Sequence, residues 1–112
     1  MPSLRVIQLK CNQTEDIAGP DEPYMRFNGI VVWGPVSMNN GQSHNLTTIP
    51  LLPFFGLGAV ELFDQDIGGF LWDPDDFLGA IPVTASLIGL GIQVGSFTGD
   101  GANYQLFYEV VP

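Results

Sequence analysis

Positive charge is the scarcest feature of this sequence: three bases, Arg5, Lys10 and Arg26, face twelve Asp and Glu, for a formal net charge of −9. Nothing in the chain can neutralise a run of phosphates, so nucleic acid is excluded as a partner. A polybasic attraction to anionic lipid is excluded on the same ground. Cysteine is almost absent. Cys11 alone forms no internal disulfide, and with His44 the single histidine, no Cys–His zinc set can be assembled. Pro and Gly interrupt every apolar stretch before it reaches the length of a membrane span. The opening Met-Pro-Ser-Leu-Arg enters a strand-like pattern at once, without an apolar leader. Ser37, Ser43 and Ser96 lack a Ser-His-acid setting, and the Asp75-Asp76 pair sits among many other acids. No enzymatic activity is therefore expected.

What the chain does have is turns and apolar residues. It is 112 residues long and 46% apolar, enough for one domain with a modest core, and 14 Gly with nine Pro favour short strands over long helices. Strand-like patterning predicts strands over 4–10, 24–27, 30–33, 46–54, 59–63, 78–87, 92–97 and 104–111. Asn28-Gly29 between the second and third reads as a type I′ hairpin turn, where both central residues need positive φ. Pro50 and Pro53 assign the fourth strand to a sheet edge or a bend. The expectation is a single all-β domain over residues 1–112, an eight-stranded antiparallel β-sandwich.

If successive strands run up and down, residues 12–23, 34–45, 64–77 and 98–103 share one end of the sandwich. Glu15, Asp16, Asp21, Glu22, Asp64, Asp66, Asp73, Asp75, Asp76 and Asp100 all fall there, and only Glu61 and Glu109 lie elsewhere. Ten acids on one rim repel one another, a cost that a bound cation offsets. Calcium is the natural candidate, because it takes six to eight oxygens, commonly from Asp and Glu on loops. The string Asp64-Gln65-Asp66 offers two carboxylates at i and i+2 just beyond a strand end.

Two segments resemble the calcium loops of C2 domains. Asp16-Ile17-Ala18-Gly19-Pro20-Asp21-Glu22-Pro23-Tyr24 matches the spacing of that family's first loop, Asp-x-x-Gly-x-Ser-Asp-Pro-Tyr. Asp64-Gln65-Asp66 followed by Asp76-Phe77-Leu78-Gly79 is similar to its third loop. The resemblance covers essentially the whole chain and implies a C2-like fold of type II topology, with calcium held by Asp16, Glu22, Asp64, Asp66 and Asp76. Glu15, Asp21, Asp73, Asp75 and Asp100 share these loops and stand as further candidates. Glu22 replaces the family's Asp, and an insertion of about four residues carries Gly68-Gly69-Phe70-Leu71-Trp72. The family's Asn-Pro-x-Trp-Asn-Glu string and the basic strand of its phosphoinositide-binding members are both missing.

These readings converge on a calcium-dependent binding module that docks to a neutral phospholipid surface or to a protein. Ile67, Phe70, Leu71 and Trp72 at the third loop are the candidate docking residues. The competing expectation is a structural or assembly domain in which calcium only stiffens the loops.

Overall fold

Alternation between buried and exposed side chains, the signature of a strand with one face on a core, runs through much of this chain. The computed structural model describes residues 1–16, 19–65 and 74–112. Its strands are β1 (Ser3–Gln13), β2 (Pro23–Phe27), β3 (Ile30–Trp33), β4 (Ser43–Asn45), β5 (Leu52–Pro53), β6 (Leu57–Asp64), β7 (Asp76–Thr84), β8 (Gln93–Phe97) and β9 (Asn103–Val111). They form two antiparallel sheets. One runs β4-β1-β9-β8, with β5 also paired to β1; the other runs β3-β2-β6-β7. The core is filled by inward rows such as Met25 and Phe27, Val60 and Leu62, and Tyr104, Leu106, Tyr108 and Val110. The expected all-β sandwich is what the chain forms.

Local chemistry accounts for the details. Asn28 and Gly29 take φ of 50° and 85°, the left-handed pair that a type I′ turn demands. The mixed alternation of β1 comes from a register shift between Val6 and Gln8, which lets Leu4 and Val6, then Leu9 and Cys11, all face the core.

The strand expected over 46–54 needs correction: only Leu52–Pro53 of it is a strand, β5, while β4 lies just before it at Ser43–Asn45, so nine strands are described. Both short pieces pair with β1. Between them the Ile49 N–H donates to the Leu46 carbonyl, closing a turn. Pro50 and Pro53 have no N–H to contribute to a ladder, so a continuous strand would lose the bonds that justify it. The strand expected over 78–87 likewise stops at Thr84, and a 3-10 turn covers Ala85–Leu87.

The registers define the two ends. Cys11, Tyr104 and Phe97 align across one sheet, and Pro23, Asp64 and Asp76 across the other, at the end where β1, β6 and β8 finish. At the opposite end lie Ser3 beside Pro53 and Val111, the 28–29 turn, and Leu57 beside Thr84.

Gly34 lets the 34–42 loop turn tightly over the first of these ends. Its φ is 80°, and a Cβ there would lie 2.5 Å from the Pro23 carbonyl oxygen and 2.8 Å from Tyr24 Cα. Gly41 has nearly the same φ, 83°, but nothing within 4 Å. Alanine at either site should cost about 1–2 kcal/mol for the left-handed backbone. Gly34→Ala should cost clearly more, since its neighbours are backbone atoms that cannot swing aside. Thermal melts of the two variants check this, and equal losses would contradict it.

Candidate metal centre

The alternation that fills the core also carries carboxylates to its mouth. In β6 the inward row runs Val60, Leu62, Asp64, so the last inward position is an acid, and Asp64 is only 1% exposed. In the segment entering β2 the inward row runs Asp21, Pro23, Met25, Phe27, and Asp21 is fully buried. The adjoining Glu22 is partly exposed.

The two buried acids play different parts. Asp21 is saturated with donors: Oδ2 accepts the Glu15 N–H at 2.8 Å and the Tyr104 hydroxyl at 2.6 Å, and Oδ1 accepts the Asp16 N–H at 3.2 Å. It anchors the turn that displays Glu15 and Asp16. Its main chain is fixed in turn by an antiparallel bridge to Met38. Thr14 completes the brace, its N–H donating to Asn40 Oδ1 and its hydroxyl to the Asp16 carbonyl. Asp64 is only half satisfied. Oδ1 accepts the Glu22 N–H at 2.8 Å, whereas Oδ2 is buried with no hydrogen-bond partner among the described residues, as is Glu15 Oε2.

Two groups of carboxylates converge here. Glu15, Asp16, Asp21 and Asp64 each place an oxygen within 4.8 Å of the others, and so do Glu15, Asp76 and Asp100. That spread matches what one ion with bonds of about 2.4 Å can span. Glu15 belongs to both groups. Asp100 arrives because Gly99 lets its loop close on the start of β7; a Cβ there would lie 2.9 Å from the Phe77 and Leu78 carbonyl oxygens. A polar cleft of about 340 Å³, lined by Asn12, Gln13, Thr14, Glu15, Asp16 and Asn40, opens beside the cluster. On the outer face, Tyr24 stacks on Phe63 at 5.4 Å between centroids, and its hydroxyl donates to Asp75 Oδ2 at 2.6 Å.

Of the five residues implied as ligands, Asp16, Asp64 and Asp76 lie in these groups. Glu22 belongs to neither; its main chain is what reaches Asp64 and Gln65. Among the further candidates, Glu15, Asp21 and Asp100 lie in the groups and Asp75 does not. Asp66 and Asp73, together with Ile67, Phe70, Leu71 and Trp72, lie outside the described residues. Sequence reasoning missed Tyr104, although an aromatic with a polar tip at the first inward position of β9 is the kind of residue that could reach a buried acid.

Burial raises Glu15 most, the crowding of Asp64, Asp100 and Asp16 around it adds to the shift, and its carboxyl is pushed up to about 9. Burial also dominates at Asp64, raising it to about 6 although the Glu22 N–H opposes the shift. Tyr24 is pushed up to about 12 by burial and then by Asp75, so its hydroxyl stays a donor at neutral pH. The cluster thus needs a compensating positive charge, which a proton or a cation can supply.

No protein family's profile matches the chain, and no curated protein matches it. Among solved structures it is similar to Drosophila C2-DSL-EGF1, at 14% identity and a TM-score of 0.49, over 98% of this chain and 66% of that one. It is also similar to human GIVD cytosolic phospholipase A2 in complex with methyl gamma-linolenyl fluorophosphonate inhibitor and terbium chloride. That match has 13% identity and a TM-score of 0.48, over 98% of this chain and 16% of that one. The chain therefore spans just under two thirds of the first and about a sixth of the second.

A pH prediction follows for the metal-free protein. Both carboxyls titrate higher in the folded chain than in the unfolded one, so their protonated forms favour folding. That contribution is complete below the ordinary carboxylate range and is lost as pH rises through about 6 for Asp64 and about 9 for Glu15. Melting temperature after chelation and dialysis should fall steadily from pH 5 to pH 9. A flat or rising profile would count against the shared-proton cluster.

Proposed function

We propose that this chain is a calcium-dependent binding module, with calcium held at one end of the sandwich by two carboxylate groups that share Glu15, one with Asp16 and Asp64 and the other with Asp76 and Asp100. The observation that carries this reading is Asp64: a carboxylate 1% exposed, one oxygen without a donor among the described residues, at the meeting point of other acids. Two ionised carboxylates 4.8 Å apart repel by about 3 kcal/mol at an effective dielectric near 20. A hard divalent cation replaces that repulsion with attraction, and calcium suits oxygens gathered from several loops better than magnesium, which demands near-octahedral geometry. Calcium supplies a fixed link between the 14–22 loop, the end of β6, the start of β7 and the 98–102 loop. Loading also cancels much of the negative field of that rim, so a target can approach it.

Ile67, Phe70, Leu71 and Trp72 are the proposed contact residues for that target, a membrane surface or a protein. The second reading, a calcium-stapled structural domain, is favoured by the Tyr104–Asp21 bond, which ties the ion-bearing turn directly into the core. The two part on the Phe70→Ser, Trp72→Ser double variant: loss of target binding with calcium affinity intact supports docking.

Calcium in hundredfold excess over Kd should add about 2.7 kcal/mol of stability. Asp64→Asn should lower calcium affinity at least tenfold, which is about 1.4 kcal/mol. The same change should raise the melting temperature of the metal-free protein, because the amide still accepts the Glu22 N–H and brings a donor to the orphaned side. Titration calorimetry and melts in millimolar calcium against EDTA measure both effects. Equal melting temperatures in the two conditions, or unchanged affinity in Asp64→Asn, would refute the assignment.

A further inference from the structure

The end opposite the acids carries an apolar tip. Ile30 is 69% exposed, Phe55 82%, Leu57 64%, Leu90 63% and Ile92 61%, with Leu51 beside them at 49%. The registers place them together. Ile30 follows the 28–29 turn and Leu57 opens β6 beside Thr84; Phe55 sits between β5 and β6, and Leu90 and Ile92 between β7 and β8. An apolar groove of about 220 Å³, lined by Phe27, Asn28, Ile30, Val32, Leu52 and Pro53, runs into the same end. Residues 28–32, 47–58 and 85–95 contain no Asp, Glu, Lys or Arg at all. Behind the tip, Arg5 pairs with Glu109, and Arg26 lies opposite Glu61 in the β2–β6 register.

Apolar residues scattered singly on a surface mean little, but five or six gathered on one uncharged end mark an interaction site. Two features decide the occupant. The molecule measures 44 × 28 × 23 Å. Its narrow end therefore offers roughly 500 Å² of cross-section, below the approximately 800 Å² per partner that a stable dimer needs. A lipid surface has no such threshold and needs no matching shape. Part of the turn backbone is also already bonded, with Leu57 N–H donating to the Phe55 carbonyl, Ile88 to Ala85 and Leu90 to Leu87, so these groups lose no water on entering an apolar layer.

We propose that this tip inserts into the interface of a neutral, zwitterionic membrane, independently of calcium. With no Lys or Arg in the tip segments to form a basic patch for anionic headgroups, and with most of the acids at the far end of the molecule, anionic lipid gives little advantage. The chain is then two-ended: one pole seats in lipid without calcium, and the calcium pole at the other end is left for its own target.

The test is flotation with phosphatidylcholine vesicles in EDTA, comparing the native chain with a Phe55→Ser, Leu90→Ser double variant and with Phe70→Ser, Trp72→Ser. Native protein should float in EDTA and persist in half-molar salt. The tip variant should partition at least tenfold less with its melting temperature preserved, since both replaced side chains are exposed. The Phe70, Trp72 variant should float like native. Failure of native protein to float in EDTA would overturn the proposal. So would equal flotation of the tip variant, or a dimer in sedimentation equilibrium that the tip variant abolishes. None of these outcomes bears on calcium affinity, which is measured separately.

Discussion

A single carboxylate at the mouth of a hydrophobic core sets the terms for the acidic end of this protein. Asp64 continues the row of Val60 and Leu62, so the pairing that builds the sandwich also forces an acid inward. One oxygen is satisfied by the Glu22 N–H, and among the described residues the other meets carboxylates instead of donors. Such a group needs a proton or a cation, because an unpaired buried charge costs several kcal/mol. The surrounding residues keep the cluster together rather than letting it spring apart. Asp21, held by Tyr104 and two backbone N–H groups, acts as a fully bonded foundation, and Glu15 stands on it within reach of both carboxylate groups.

Much of this was legible in the sequence because strands obey a simple period. Alternating up-and-down strands put the 98–103 loop at the acidic end, and Asp100 lies beside Glu15 and Asp76. The Asn28-Gly29 turn could be read from two residues, since few others tolerate left-handed backbone at both positions. Less local features were hidden. The bulge in β1 leaves no signature in residue type, and apolar residues at 46, 49, 51 and 52 look like a strand until the prolines remove its ladder bonds. The family resemblance implied Glu22, and the inward phase of Asp21, Pro23, Met25 and Phe27 brings Asp21 into one of the acidic groups formed among the described residues.

The apolar end was hidden for a related reason. Ile30 and Leu57 belong to runs whose other members do fill the core, and hydrophobicity does not tell a core position from a tip position. Only the registers show that several such residues collect where the strands turn back. The result is a strongly polarised molecule, with acids gathered at one end of a 44 Å body and an uncharged apolar surface at the other. Only Arg5, Lys10 and Arg26 and the acids Glu61 and Glu109 interrupt the neutral strands between.

If proton and cation compete for the same carboxylates, then binding one must release the other. The direct measurement is calorimetry of calcium binding in two buffers of different ionisation enthalpy, at pH 7 and again at pH 5. Glu15, raised to about 9, carries a proton at pH 7, and Asp64, raised to about 6, gains one towards pH 5. The account predicts release of about one proton per chain at pH 7 and more at pH 5. Calcium binding with no proton released at either pH, or no calcium binding at all, would contradict it.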